Sequence, residues 1–299
     1  AAPQSLSNAV WSVARLHEAL GEWQGAQGAA GTAQRSADHQ HASAWALQVL
    51  QQLHAAVPSA NPSTQDLSNA LTAVAKLGCT LDAATLAAHV RLTLAAAARS
   101  EPSAEGALHL AATLLALSSL KQPQQQAAEG GGDEWSAGDL LKEPVDDQPE
   151  EDPKAPGTAS ADAVNAALAS YRMQLMQELR RHSVDASPKT LAHFWLGLAK
   201  LGLKPDAETA GALVLASHRH MHDMTPDALA ALAVSVARLG VPVRPRWIDR
   251  LQAAAYESAS QGTMLLRARC MLLWAGAKAG WELHREFVAG MLPGPRLMS

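Results

Sequence analysis

Apolar residues recur along the chain at intervals of three and four, and one apolar phrase returns several times. The phrase begins at Leu6, Leu67, Leu191 and Leu229, and its last two copies start 38 residues apart and end in Lys or Arg, then Leu, then Gly. This spacing indicates one face of an amphipathic helix that stops at a glycine. A fixed period between about 20 and 50 residues is typical of stacked helical repeats.

The pattern therefore predicts an all-α fold, an α-solenoid of about six helix-turn-helix repeats of about 38 residues each. Ser187-Pro188 and Thr225-Pro226 each place a capping residue before a proline, which is a strong helix-start signal. We place helices at about 5–20, 43–57, 64–77, 82–99, 103–120 and 160–182, then from Pro188, at 206–222, from Pro226, and at 245–260 and 263–279, with a last helix from about Trp281. The Gly-, Ala- and Gln-rich stretch from Gly21 to about Gln40 is expected to be irregular.

A segment of different composition divides the repeats into 1–120 and 160–299. Residues 121–159 hold five prolines and ten acidic residues with almost no aliphatic periodicity. Such a segment buries too little apolar area to offset its ordering entropy, so we expect a disordered acidic insertion. The alternative is that Trp135, Leu140 and Leu141 anchor a short helix on a partner.

Composition supports helices and excludes several other classes. Hydrophobic residues make up 48% of the chain but aromatic residues only 4%, and the two cysteines, Cys79 and Cys270, lie far apart. A reducing interior suits such a chain, and no stretch is apolar enough to suggest a membrane span. The net charge of −4 is uneven, with −2 in residues 1–120, −7 in 121–159 and +5 in 160–299. A polyanion would therefore be attracted to the C-terminal half.

Three copies of the phrase resemble the octotricopeptide repeat family of green-algal organelle proteins. They run from Pro188 to Gly202, from Pro226 to Gly240 and from Asp66 to Gly78. The resemblance implies RNA binding by a protein imported into an organelle, and the start Ala1-Ala2-Pro3 suggests that an N-terminal segment is removed. Some members act on organelle mRNAs, whereas others belong to the mitochondrial ribosome and hold ribosomal RNA.

Six irregular units are few for reading a long unique sequence, which favours a structural subunit of a large particle. We expect a mitochondrial ribosome component that binds ribosomal RNA and neighbouring proteins, without a cofactor or a small-molecule substrate. One alternative is a mitochondrial or chloroplast mRNA factor. The other, from a different class, is a protein-binding scaffold of the HEAT or armadillo kind.

The residues proposed to contact RNA are basic side chains of the C-terminal half together with one histidine. They are Arg180, Arg181, Lys189, His193, Lys200, Arg219, Arg238, Arg244, Arg246, Arg250, Arg267 and Arg269. Arginine suits phosphate oxygens and also stacks on bases. The competing interpretation is that the cations near helix ends interact with the helix dipole and that the others form a solvated face. Arg246 and Arg250 should lie on the face opposite Trp247 and Leu251.

Two further features point to binding rather than catalysis. No phosphate-binding glycine loop, metalloprotease motif or nucleophile elbow occurs, so we expect no enzyme. The run from His218 to His222 resembles a metal site, but only its two end histidines would share a helix face. Asn8, Asn69 and His193 occupy the same position of the phrase and are weaker candidates for contact with bases.

Overall fold

The computed structural model describes residues 3–25, 32–121 and 158–292, and within these ranges all regular structure is helical. Twelve α-helices lie in this part of the chain, and a 3₁₀ turn, Met221–Asp223, follows the eighth. They are α1 Pro3–Gly25, α2 Thr32–Ala60, α3 Thr64–Lys76, α4 Ala83–Arg99, α5 Ala104–Lys121, α6 Thr158–His182, α7 Pro188–Leu201, α8 Ala207–His220, α9 Pro226–Arg238, α10 Pro245–Ser260, α11 Leu266–Ala279 and α12 Arg285–Met291. The all-α prediction is confirmed.

Contacts between helices divide the described residues into two compact units. The first holds residues 3–121 and 158–178, and the second holds residues 179–292, so that α6 contributes to both. In the first unit α3 packs between α1 and α5, and its apolar face buries Leu67, Leu71 and Val74 completely. The apolar period read from the sequence is therefore the core face of α3.

The second unit has two rows of helices. In one row α9 packs between α7 and α11, and in the other α10 packs beside α8 and α12. Every residue of α9 from Ala228 to Ala237 is buried, because the helix is covered from several sides. Alanine makes this possible since its small side chain lets neighbouring helix axes approach. The indole N–H of Trp195 donates to Ser217 Oγ at 3.0 Å and joins α7 to α8 inside the core.

The glycine that closes the repeated phrase forms a helix-ending turn. Gly202 has a φ of 69° and Gly240 a φ of 57°, a left-handed conformation that favours glycine. After Gly202 the N–H of Leu203 donates to the carbonyl of Leu198 at 2.9 Å, and after Gly240 the N–H of Val241 donates to that of Val236 at 3.2 Å. This is the Schellman arrangement, and it also occurs at Gly78 and Gly280.

The predicted helix starts are confirmed at the clearest positions. Ser187 Oγ accepts the N–H of Thr190 at 3.2 Å, and Thr225 Oγ1 accepts that of Ala228 at 3.3 Å. Ser63 and Asp66 form a full capping box at the start of α3. Asp66 also accepts a buried hydrogen bond of 2.8 Å from the Ser7 hydroxyl, which joins α3 to α1.

Several helix boundaries differ from the prediction. α1 continues to Gly25 and α2 begins at Thr32, so the expected irregular stretch from Gly21 to Gln40 is wrong over much of its length. Its many alanine and glutamine residues are good helix formers, and they outweigh the isolated glycines. The last helix begins at Arg285 rather than at Trp281, because the Trp281 N–H closes the preceding turn on the Gly276 carbonyl. α8 ends at His220, two residues early.

The acidic insertion lies almost wholly outside the described residues. Trp135, Leu140 and Leu141, the suggested partner anchors, lie there as well. Both expectations for this segment, disorder and anchoring, therefore stay predictions.

Candidate nucleic-acid interface

The twelve candidate RNA-binding residues all lie in the second unit, and two of them, Lys200 and Arg238, form one edge together with Lys278, which is not among the twelve. Lys200, Arg238 and Lys278 each lie in the last turn of a helix, namely α7, α9 and α11. One open groove of about 430 Å³ is lined by the first turns of α7 and α9, and another of about 770 Å³ by the ends of α9 and α11. The three helices therefore run in parallel and bring these three cations to one side, here called the C-terminal edge.

An aromatic ring supports this edge. The guanidinium carbon of Arg238 lies 5.9 Å from the centroid of the half-buried Trp274 ring, within the range of a cation–π interaction. In the first unit Lys76 Nζ lies 5.6 Å from the Trp11 ring. The sequence analysis did not single out either tryptophan. Trp11 lies four residues before Arg15, and Trp274 lies four residues before Lys278, and both of these cations stand near the end of a copy of the repeated phrase.

A second group, the α10 cluster, consists of Arg244, Arg246 and Arg250. Arg246 is exposed and Arg250 half-buried, whereas Trp247 and Leu251 are buried, so the arginines lie on a more exposed side of α10 than the two apolar residues, although not on the face directly opposite. None of the three arginines forms an ion pair with a described residue, and Arg250 Nε is buried without a hydrogen-bond partner among them. Such an unpaired donor is suited to an anion.

His218 of the neighbouring helix α8 faces the α10 cluster. Its Nδ1 atom is also buried without a described partner, and burial together with the charge of Arg250 lowers its pKa. The imidazole is therefore neutral at pH 7, and the positive charge of this surface comes from arginine. Arg219, exposed in the last turn of α8, adds a further cation.

The helix dipole does not account for every cation. The dipole stabilises a positive side chain in the last turn of a helix by about 0.3–1 kcal/mol. This applies to the three cations of the C-terminal edge and to Arg219, which all lie in last turns. Arg244 precedes α10, Arg246 lies in its first turn and Arg267 lies in the first turn of α11, where the dipole opposes positive charge. All three are exposed, and helix stability gives no reason for them.

Three arginines have structural partners instead. Arg269 donates to the carbonyls of Met264, Gly290 and Ala259 at 3.2, 3.4 and 3.3 Å. Arg180 pairs with Glu208, and Arg181 Nη2 lies 3.4 Å from Nε2 of His182. The guanidinium group of Arg269 is bonded to the backbone, and those of Arg180 and Arg181 have side-chain partners at the surface, so we leave these three out of the proposed RNA-binding surface.

The remaining candidates lie at the other end of α7. Lys189 is exposed, but its groove also contains the carboxylates of Asp223 and Asp227, which would repel phosphate. Burial and the charge of Lys189 lower the pKa of His193 to about 4, so that this ring is neutral at pH 7. The residues that occupy the position of His193 in later copies of the repeated phrase are Ala231 in α9 and Met271 in α11, and both are buried in the core. Asn8 and Asn69, at that position in the first unit, are exposed and half-buried respectively.

The first unit contains a pair of histidines, one buried and one half-buried, that the sequence did not indicate. His89 is fully buried, and its Nε2–H donates to the carbonyl of Leu67 at 2.9 Å, while its Nδ1 lies 2.9 Å from Nε2 of His54. Burial, the neighbouring His54 and the bond to Leu67 set the pKa of His89 at about 3. The pair is neutral and joins α2, α3 and α4, which is a structural role.

Two further features concern metal binding and membrane spans in the described residues. No group of three or more His, Cys, Asp or Glu side chains is placed to hold a metal ion in the ranges covered. Among the helices described, none combines the length and the apolar character needed to cross a bilayer.

Comparisons with known proteins do not identify the chain. No protein-family model, no curated protein and no solved structure matches it.

Proposed function

We propose that this chain is an organelle RNA-binding protein that acts by binding and not by catalysis. Its main support is the α10 cluster, because Arg246 and Arg250 lie one helical turn apart and Arg244 just precedes the helix, none of them has a carboxylate partner among the described residues, and the helix dipole does not favour a cation at these positions. The C-terminal edge adds Lys200, Arg238 and Lys278. Both surfaces are suited to a polymer whose charge repeats along its length.

In this proposal the helical hairpins form an α-solenoid, in which each repeat stacks only on its neighbours. The packing of α9 between α7 and α11, and of α3 between α1 and α5, supports that arrangement within each unit. Solenoids present long surfaces rather than deep pockets, which suits an extended nucleic acid.

The direct test measures binding of a fluorescent 20-nucleotide RNA by anisotropy at several salt concentrations. Arg246→Ala with Arg250→Ala should weaken binding about tenfold or more, and should reduce the slope of log K against log salt by about 1.4, because two phosphate contacts are lost. Arg91→Ala with Arg99→Ala in α4 removes the same charge from exposed positions of the first unit and is the matched control. Wild-type binding that ignores both salt and the α10 substitutions would favour a HEAT- or armadillo-like protein scaffold.

The more specific proposal is a component of the mitochondrial ribosome that stabilises ribosomal RNA. The small number of repeats supports it, since about six units offer few positions for reading a long unique sequence. A ribosomal component should co-sediment with one ribosomal subunit in stoichiometric amount from a mitochondrial lysate. Substoichiometric recovery, or recovery from chloroplast fractions without ribosomes, would favour an organelle mRNA factor instead.

A further inference from the structure

The larger groove of the second unit, about 770 Å³ at the ends of α9 and α11, has a volume typical of a small-molecule site. It is here called the Trp281 groove. Part of its lining is apolar and belongs to the core, including Val236, Val241 and Ile248. Its polar lining includes Asp249 and His284. Apolar walls with a few placed polar groups are typical of a binding site.

One wall of the Trp281 groove is the segment between α11 and α12, and Gln252 of α10 holds it in place. The side-chain amide of Gln252 donates to the carbonyl of Glu282 at 3.2 Å and accepts the N–H of His284 at 2.7 Å. Gln252 is buried, so both bonds are shielded from water. The wall is therefore formed before a ligand arrives, and little ordering entropy is lost on binding.

The same segment places an indole ring in the groove. Trp281 is half-buried, and its ring centroid lies 5.7 Å from that of Trp247, with an angle of 66° between the two planes. Trp247 is itself buried in the core, so this edge-on contact fixes the orientation of the Trp281 ring. An aromatic ring held in this way is a stacking platform for a planar group.

An acceptor of hydrogen bonds lies in the same groove. Asp249 is exposed, and its Oδ1 atom lies 3.0 Å from Nε2 of His284. Its other oxygen, Oδ2, forms no hydrogen bond with a described residue. A carboxylate oxygen accepts the exocyclic amino group of cytosine, whereas uracil has a carbonyl oxygen at that position and is repelled.

The position of the groove favours RNA as the source of the planar group. Ala237 and Ala279 line it, and they are the immediate neighbours of Arg238 and Lys278 of the C-terminal edge. A strand whose phosphates lie along that edge brings its bases within reach of the groove. The smaller groove, at the first turns of α7 and α9, contains carboxylates but no aromatic residue among the described residues that line it.

We propose that the Trp281 groove binds one unstacked RNA base that carries an exocyclic amino group. The base stacks on Trp281 and donates a hydrogen bond to Asp249. Single-stranded RNA is read in this way, by stacking and by hydrogen bonds to base edges. This site rests on the RNA-binding function proposed above and adds a preference between bases to it.

The first test compares the affinities of fluorescent 20-nucleotide oligocytidylate and oligouridylate for the intact chain, by anisotropy at pH 7. We expect the wild type to bind oligocytidylate about tenfold more tightly, as one hydrogen bond to a charged group would allow. Asp249→Asn should bring the ratio of the two affinities close to one. Asp227→Asn removes the same charge from an exposed position of the smaller groove and should keep the wild-type ratio.

The second test concerns stacking. Trp281→Leu should weaken the binding of oligocytidylate about tenfold, because the stacking platform is lost. The slope of log K against log salt should stay at its wild-type value, since no phosphate contact is removed. Trp281→Phe keeps an aromatic ring and should keep most of the affinity. Circular dichroism checks that each variant is folded, and Asp249→Asn tests the site at an exposed position where folding is not at stake.

The outcomes separate this site from the function on which it rests. Salt-dependent binding of both RNAs with equal affinity, or a wild-type ratio in Asp249→Asn, would overturn the base site and leave the RNA-binding function standing. Absence of any RNA binding by the wild type would overturn both. An arginine-rich peptide could instead bind the wild type and lose affinity in Trp281→Leu and in Asp249→Asn. The occupant would then be a basic polypeptide, and the base site would be wrong.

Discussion

His89 shows how strongly the environment of one side chain can change its chemistry. Its pKa lies at about 3 in the folded chain, against the ordinary value of 6.5, because burial and the neighbouring His54 oppose a positive charge. The unfolded chain therefore binds more protons between those two values. The stability that this neutral ring contributes is complete above pH 6.5 and declines as the pH falls towards 3.

We predict that His89→Leu reduces the pH dependence of stability in this window. Each pH unit should cost the wild type up to about 1.4 kcal/mol at this site, and the variant should lose that slope. At pH 7 the variant should be less stable by about 1–3 kcal/mol, because the carbonyl of Leu67 loses its donor. Urea unfolding followed by circular dichroism at pH 7, 6 and 5 measures both quantities.

The control for this experiment is His41→Leu, at an exposed position of α2 in the same unit. The slope of the free energy of unfolding against pH should be the same for this variant as for the wild type. If His89→Leu kept the wild-type slope as well, protonation of His89 would not be linked to unfolding.

At the level of helices and turns, the repeated phrase is the best predictor of this structure. Its closing glycine marks the left-handed turn after α7 and α9, and the capping residues before Pro188 and Pro226 mark where those helices begin. These signals are local, so the sequence contains them completely. The prediction of irregular structure around Gly21 was wrong because it gave more weight to the glycines than to the helix propensity of the surrounding alanines and glutamines.

The candidate site was less predictable because partners across the fold decide it. Arg246 and Arg269 look alike in the sequence, yet one is exposed and the other is bonded to three backbone carbonyls. Periodicity could place Arg246 outside the buried face that contains Trp247, since both lie on one helix. It could not show that Arg180 would meet Glu208, which lies on another helix.

The turn glycine leads to a prediction with an internal control. Gly202→Ala should destabilise the second unit by about 1–2 kcal/mol, because a Cβ at a φ of 69° strains the backbone. There is no atom within 4 Å of the added Cβ, so the cost is conformational and not steric. Gly211→Ala, in the middle of α8 and equally free of neighbours, should instead stabilise by about 0.5–1 kcal/mol. In thermal unfolding, the midpoint temperature of Gly202→Ala should lie below that of the wild type and that of Gly211→Ala above it. A fall in both midpoints would refute this explanation.

At the scale of the whole molecule, the charge divides with the two units. Residues 179–292 carry a net charge of +5, whereas residues 3–121 with 158–178 carry −2. A polyanion is therefore attracted to the second unit, where the α10 cluster and the C-terminal edge both lie. The overall charge of −4 hides this difference.

The division into two units also predicts which helices lose stability when a core residue is substituted. Leu71 of α3 and Leu232 of α9 are both fully buried, and each lies in the central helix of its own unit. Substitution of either by alanine should cost about 2–5 kcal/mol. Because the contacts between helices fall mainly within one unit or the other, that loss should stay mainly in the unit where it arises. In amide hydrogen exchange, Leu71→Ala should accelerate exchange in α1, α3 and α5 and leave α7, α9 and α11 close to wild type, with Leu232→Ala giving the reverse. Equal acceleration of both sets by either variant would mean that the units unfold as one cooperative body, contrary to the division of contacts.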